Sequence, residues 1–272
     1  MDRKQVCGML EKELLLTRRA EEKLCRRQRS GGGFNRLVGD KIPPNLAQLL
    51  ESAFSAALRF FLGKGRPAID KLLPEEELLA EFARRDEAIL REGSFEALRA
   101  LDKTAGLSRS INLTVTTVEG AGLGLLGVGL PDIPAFLAVL LKTVREVGLR
   151  YGFACRTPWE ESYLLRLMAV AVTTGEEQKQ LLEEARQLAA SLDHRSSQGV
   201  VADPEEMIPR LSAMLAAELL AAKFVQGLPV VGVAGGAYNL LLLQRVEKTA
   251  ATLYKGRYLR RQIDRVRNGL AG

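Results

Sequence analysis

The sequence predicts an all-α protein: a single helical bundle-like domain over residues 34–272, preceded by a basic N-terminal helix and glycine linker over residues 1–33. Three observations lead there. Thr157-Pro158-Trp159-Glu160 and Asp203-Pro204-Glu205-Glu206 each place a capping oxygen, a proline at the first helical position and a glutamate at the third. Leu181, Leu182, Ala185, Leu188, Ala189 and Leu192 recur at three-and-four spacing, the period of a helix with one buried face. The β-branched residues cluster only at Ile111–Val118, and an isolated strand cannot satisfy its own backbone groups, so this stretch too reads as helix.

The elements follow in order. Residues 3–29 form a charged helix with a thin apolar stripe (Val6, Met9, Leu10, Leu14, Leu24), broken by Ser30-Gly31-Gly32-Gly33 and expected as a mobile appendage. Pro43-Pro44-Asn45 opens a helix through Leu46, Leu49, Leu50, Phe54, Leu58 and Phe61 that stops at Gly63-Lys64-Gly65. Pro74 starts the next, with Glu75, Glu76 and Glu77 at the positive end of the helix dipole. Gly93-Ser94 separates it from a short helix over Phe95–Ala105, and Pro131-Asp132-Ile133-Pro134 reads as a further start with Asp132 as cap.

Composition excludes several classes of function. With 47% apolar and 26% charged residues the chain has material for a core and is not disordered. One histidine rules out sites built on two imidazoles, and no metal site or cofactor is expected. Cys7, Cys25 and Cys155 are odd in number and far apart, which fits a reducing compartment. The start, Met1-Asp2-Arg3-Lys4-Gln5, leads into mixed charge rather than an apolar signal, so a cytoplasmic location is expected.

The net charge of +6 is concentrated at the ends. Residues 1–29 hold nine Lys/Arg against five Asp/Glu, and residues 244–272 hold eight against two. Basic ends suggest an anionic partner surface. Nucleic acid is not expected, because these ends carry few aromatic rings for bases to stack on; an anionic membrane surface or lipid fits better.

Two apolar, glycine-rich segments stand out. Ala121–Leu141 has Asp132 as its sole charge, and Phe224–Gln244 has none. Gly120, Gly124 and Gly127 in the first and Gly232 and Gly236 in the second are spaced for close helix packing. Three readings fit: central helices of a bundle, hairpins that insert on meeting lipid, or a transmembrane pair. Glycine content weighs against the third, as does Asp132, which would cost about 2.5–3.5 kcal/mol at mid-bilayer.

Gly122-Leu123-Gly124-Leu125-Leu126-Gly127 matches GxGxxG but opens no βαβ unit, and no phosphate loop or serine elbow occurs. Cys155 and His194 would form a catalytic pair only if the fold joined them.

Val118-Glu119-Gly120-Ala121-Gly122 through Pro131-Asp132-Ile133-Pro134, followed by Arg145 and Tyr151-Gly152, resembles the EcsC family of bacterial proteins. So do Gly227-Leu228-Pro229-Val230-Val231-Gly232, Gly235-Gly236-Ala237 and Asn239, followed by Ala250, Tyr254 and Arg257. The resemblance covers about residues 95–260. It implies a mostly helical protein, cytoplasmic or peripheral to the inner face of the membrane. The family is named after a gene beside an ABC-transporter pair, and that neighbourhood alone implies a membrane-protein partner such as an ABC transporter. A non-enzymatic role is expected, with Asp132, Tyr151, Asn239, Tyr254 and Arg257 at the centre of a lipid or ligand groove. The alternatives are a hydrolase acting on a lipid or peptide with Asp132 as general base, and a structural adaptor.

Overall fold

The computed structural model describes residues 3–26, 44–105, 132–194, 202–225 and 236–269. Ten helices and no strand occur among these residues: α1 (Arg3–Arg26), α2 (Pro44–Leu62), α3 (Arg66–Asp70), α4 (Glu75–Glu92), α5 (Phe95–Ala105), α6 (Asp132–Arg150), α7 (Pro158–Val172), α8 (Gly175–His194), α9 (Pro204–Val225) and α10 (Gly236–Arg267). The all-α expectation holds. The one helix absent from the sequence reading is α3, a single turn that starts where Gly63-Lys64-Gly65 signals a stop.

The local start signals do what their chemistry predicts. The Thr157 hydroxyl accepts the Glu160 N–H at 3.2 Å, and the Asp203 carboxylate accepts the Glu205 N–H at 2.9 Å. The Glu160 carboxylate does not turn back to the cap, however; Arg257 holds it.

Helix α7 is the centre of the molecule. Every residue from Glu161 to Val172 is buried, and α6, α8, α9 and α10 surround it. Apart from Glu161, Ser162 and Arg166 this stretch is apolar on every side, and such a helix can sit only where protein covers all sides. The two glycine-rich segments contribute only their ends here: residues 132–141 open α6, and residues 236–244 open α10. Ile111–Val118 and Gly120, Gly124, Gly127 and Gly232 lie outside the described residues, as does the side-chain environment of Gly236. Among the described residues, no helix is long and apolar enough to cross a membrane.

The leading helix is not an appendage. α1 runs antiparallel to α10, with Glu11 bonded to Arg267 and Glu13 to Lys255, and with Glu21 beside Gly256. Val6, Met9 and Leu10 are buried under it. The helices meet closely at Gly256, where an added Cβ would stand 2.7 Å from the Glu21 carboxylate.

α1 is sorted by charge. Its carboxylates at Glu13 and Glu21 turn inward to Lys255 and Arg186, on α10 and α8, Glu11 meets Arg267 at the surface, and Glu22 is exposed. Lys12, Leu15, Leu16, Arg19 and Lys23 fall within about 100° of helical arc on the opposite side, and all are exposed.

Candidate functional site

α10 is about 48 Å long, and its second half gathers side chains from five other helices. Tyr254, Arg257, Tyr258, Arg261 and Arg265 recur at three-and-four spacing, and this stripe faces inward. The C-terminal basic end is therefore largely spent on ion pairs and stacking inside the protein, contrary to the expectation of a surface for anions.

Arg257 is the most deeply buried arginine of the stripe, with 3% of its side chain exposed. Its terminal nitrogens donate to both oxygens of Glu160 at 2.8 Å, and its Nε donates to Asp193 at 3.1 Å. The guanidinium also stacks over Phe153 at 4.1 Å and lies near Tyr163 at 5.1 Å. Burial works against its charge, but Glu160 and Asp193 more than offset that, and its pKa is raised. Burial pushes the Asp193 carboxyl up, with Arg257 pulling the other way. Arg261 flanks the same Phe153 ring at 4.3 Å.

Tyr254 is buried beside this pair, stacked on Phe153 at 5.6 Å and edge-on to Tyr163 at 5.4 Å. Tyr151 donates its hydroxyl to Asp102 at 3.1 Å, and Lys255 bridges Asp102 to Glu13 of α1. Tyr258 donates to Asp86 at 2.8 Å, and Arg265 takes the other oxygen of that carboxylate. Burial raises the pKa of Asp102 and holds both tyrosine hydroxyls protonated well above their ordinary range.

Of the five residues expected at a groove, Tyr254 and Arg257 share the Phe153 ring beyond the end of α6, while Tyr151 is set on Asp102 and Tyr258. All three are buried in the packing rather than open to solvent. Asp132 begins α6 and Asn239 lies in the first turn of α10; their side chains fall outside the described residues. Sequence reasoning missed the partners Glu160, Asp193, Asp102, Asp86 and Lys255. The inward stripe of α10, with tyrosine and arginine mixed at helical period, was the available signal.

A second cluster joins α3, α6 and α7. Arg66 donates to Glu161 at 2.7 Å and to the Cys155 carbonyl at 2.6 Å, while Arg145 donates through Nη1 to Asp70 at 2.6 Å. Burial pushes the Cys155 thiol up to about 12, against the pull of Arg145. The thiol is then only about one part in ten thousand ionised at pH 8. The His194 side chain lies outside the described residues, so the pairing with Cys155 has no geometry to stand on. Iodoacetamide at pH 8 should modify native Cys155 at least a hundredfold more slowly than in the denatured chain; equal rates by mass spectrometry would contradict this environment. No group of three or more potential metal ligands occurs among the described residues.

No curated protein and no solved structure matches the chain. The EcsC protein family matches residues 11–259 of the 272, reaching from α1 to α10 and well beyond the stretch on which the sequence resemblance rests. With α1 seated on α10 inside that match, the chain belongs to the EcsC protein family.

Proposed function

We propose that this protein binds an anionic membrane surface peripherally, as a non-enzymatic helical protein, through the outward face of α1. The observation that supports this reading is the charge sorting of that helix. Glu11, Glu13 and Glu21 pair with α8 and α10, while Lys12, Arg19 and Lys23 are exposed on the outer arc, with Glu22 exposed at its edge. Leu15 and Leu16 sit among them, 59% and 47% exposed. A basic helix face with embedded leucines suits the headgroup boundary of an anionic leaflet.

Three cations near such a surface supply about 3 kcal/mol together, at about 1 kcal/mol each. The two leucines add about 2 kcal/mol if half their side chains leave water. The sum corresponds to reversible association. A cytoplasmic position at the inner face of the membrane, where anionic lipid is abundant, fits this surface.

Flotation with liposomes tests the reading. The full chain should float with vesicles containing anionic lipid at low salt, stay behind with neutral vesicles, and be largely released at about 0.5 M salt, where screening shortens the reach of surface charge. Equal recovery with neutral and anionic vesicles, or none with either, would overturn it.

A further inference from the structure

Arg145 has 3% of its side chain exposed, and its Nε and Nη2 have no hydrogen-bond partner among the described residues. In the planar guanidinium these two nitrogens share one edge, the edge that meets two oxygens of a carboxylate or phosphate at once. Arg257 shows what a satisfied guanidinium looks like in this fold, with all three nitrogens bonded to carboxylates. Buried N–H donors left unpaired lose their hydration with nothing in return, so an empty pair calls for an acceptor.

We propose that Arg145 is the anchor of a binding site for the carboxylate group of a small ligand. Arg66, Asp70, Glu161 and Cys155 form its surroundings. The two arginines are balanced by Asp70 and Glu161, so the site as built is close to neutral. A single negative charge held by two hydrogen bonds suits such a site, whereas a phosphate dianion would meet two carboxylates with no surplus cation. Asp70, bonded to Nη1 at 2.6 Å, has a side chain 47% exposed at the end of the single-turn α3, so one side chain separates the guanidinium from the surface there. The site shares no residue with the outward face of α1, so it stands or falls apart from the membrane reading.

The test is calorimetric titration of the full chain with acetate, octanoate and inorganic phosphate at matched ionic strength, with thermal melts in parallel. A carboxylate should bind one to one and raise the melting temperature. Octanoate without acetate assigns a fatty-acid source, and comparable binding of both assigns a small carboxylate. Arg145→Lys keeps the charge but not the two-nitrogen edge, and should weaken binding at least tenfold. Asp70→Asn removes a competing negative charge at the mouth without touching the fork and should tighten binding about fivefold. No carboxylate binding to the wild-type chain, binding unchanged by both substitutions, or binding of phosphate alone would overturn the proposal.

Discussion

Arg257→Met is expected to destabilise the protein by about 3–5 kcal/mol, the usual cost of removing one partner from a buried ion pair. The substitution removes the only cation bonded to both Glu160 and Asp193 among the described residues, whose side chains are 15% and 13% exposed. It also removes the charge stacked on Phe153. For a chain of this size that loss lowers the melting temperature by about 10 °C. Arg257→Lys should recover only part of it, since an ammonium is one point charge and this site needs a fork reaching two carboxylates. Combining Arg257→Met with Glu160→Gln and Asp193→Asn should restore much of the stability, because the stranded charges go with it. A triple variant no more stable than Arg257→Met would mean that packing, rather than charge, sets the cost.

Gly152→Ala is the second large effect, expected at about 2–4 kcal/mol from left-handed backbone and overpacking together. Helix α6 ends in a Schellman turn: the Phe153 N–H reaches the Gly148 carbonyl at 2.8 Å and the Gly152 N–H reaches Leu149 at 2.9 Å. That turn sets Gly152 at a φ of +79°, where a Cβ would lie 2.3 Å from the Phe82 ring of α4. The turn aims Phe153 at Arg257 and Tyr151 at Asp102, so its distortion reaches both networks. Phe82→Ala should rescue the steric part but not the backbone part. The two substitutions together should then cost at least 1 kcal/mol less than the sum of their separate costs; strict additivity by thermal or urea unfolding would rule out the clash.

What could be read in the sequence was local. The Thr157 and Asp203 caps are fixed by residues two or three positions away, and both formed. α3 escaped because five residues are too few to show a period, although Pro67 in its first turn was a usable signal. The networks escaped for a different reason. Glu160 lies 97 residues from Arg257, and Tyr258 lies 172 from Asp86, so no spacing rule links them. Net charge misled for the C-terminal end because it counts charges without locating them: Lys255, Arg257 and Arg265 are held in ion pairs with other helices.

The outward face of α1 is the centre of this account, and flotation of a variant confined to it is the most direct test. Arg19→Glu and Lys23→Glu together reverse the charge of that face without touching Glu11, Glu13 or Glu21, which pair α1 with the body. The account predicts that this variant melts within about 2 °C of the wild type, as surface substitutions do, and no longer floats with anionic vesicles at low salt. A folded variant that floats as well as the wild type would contradict it.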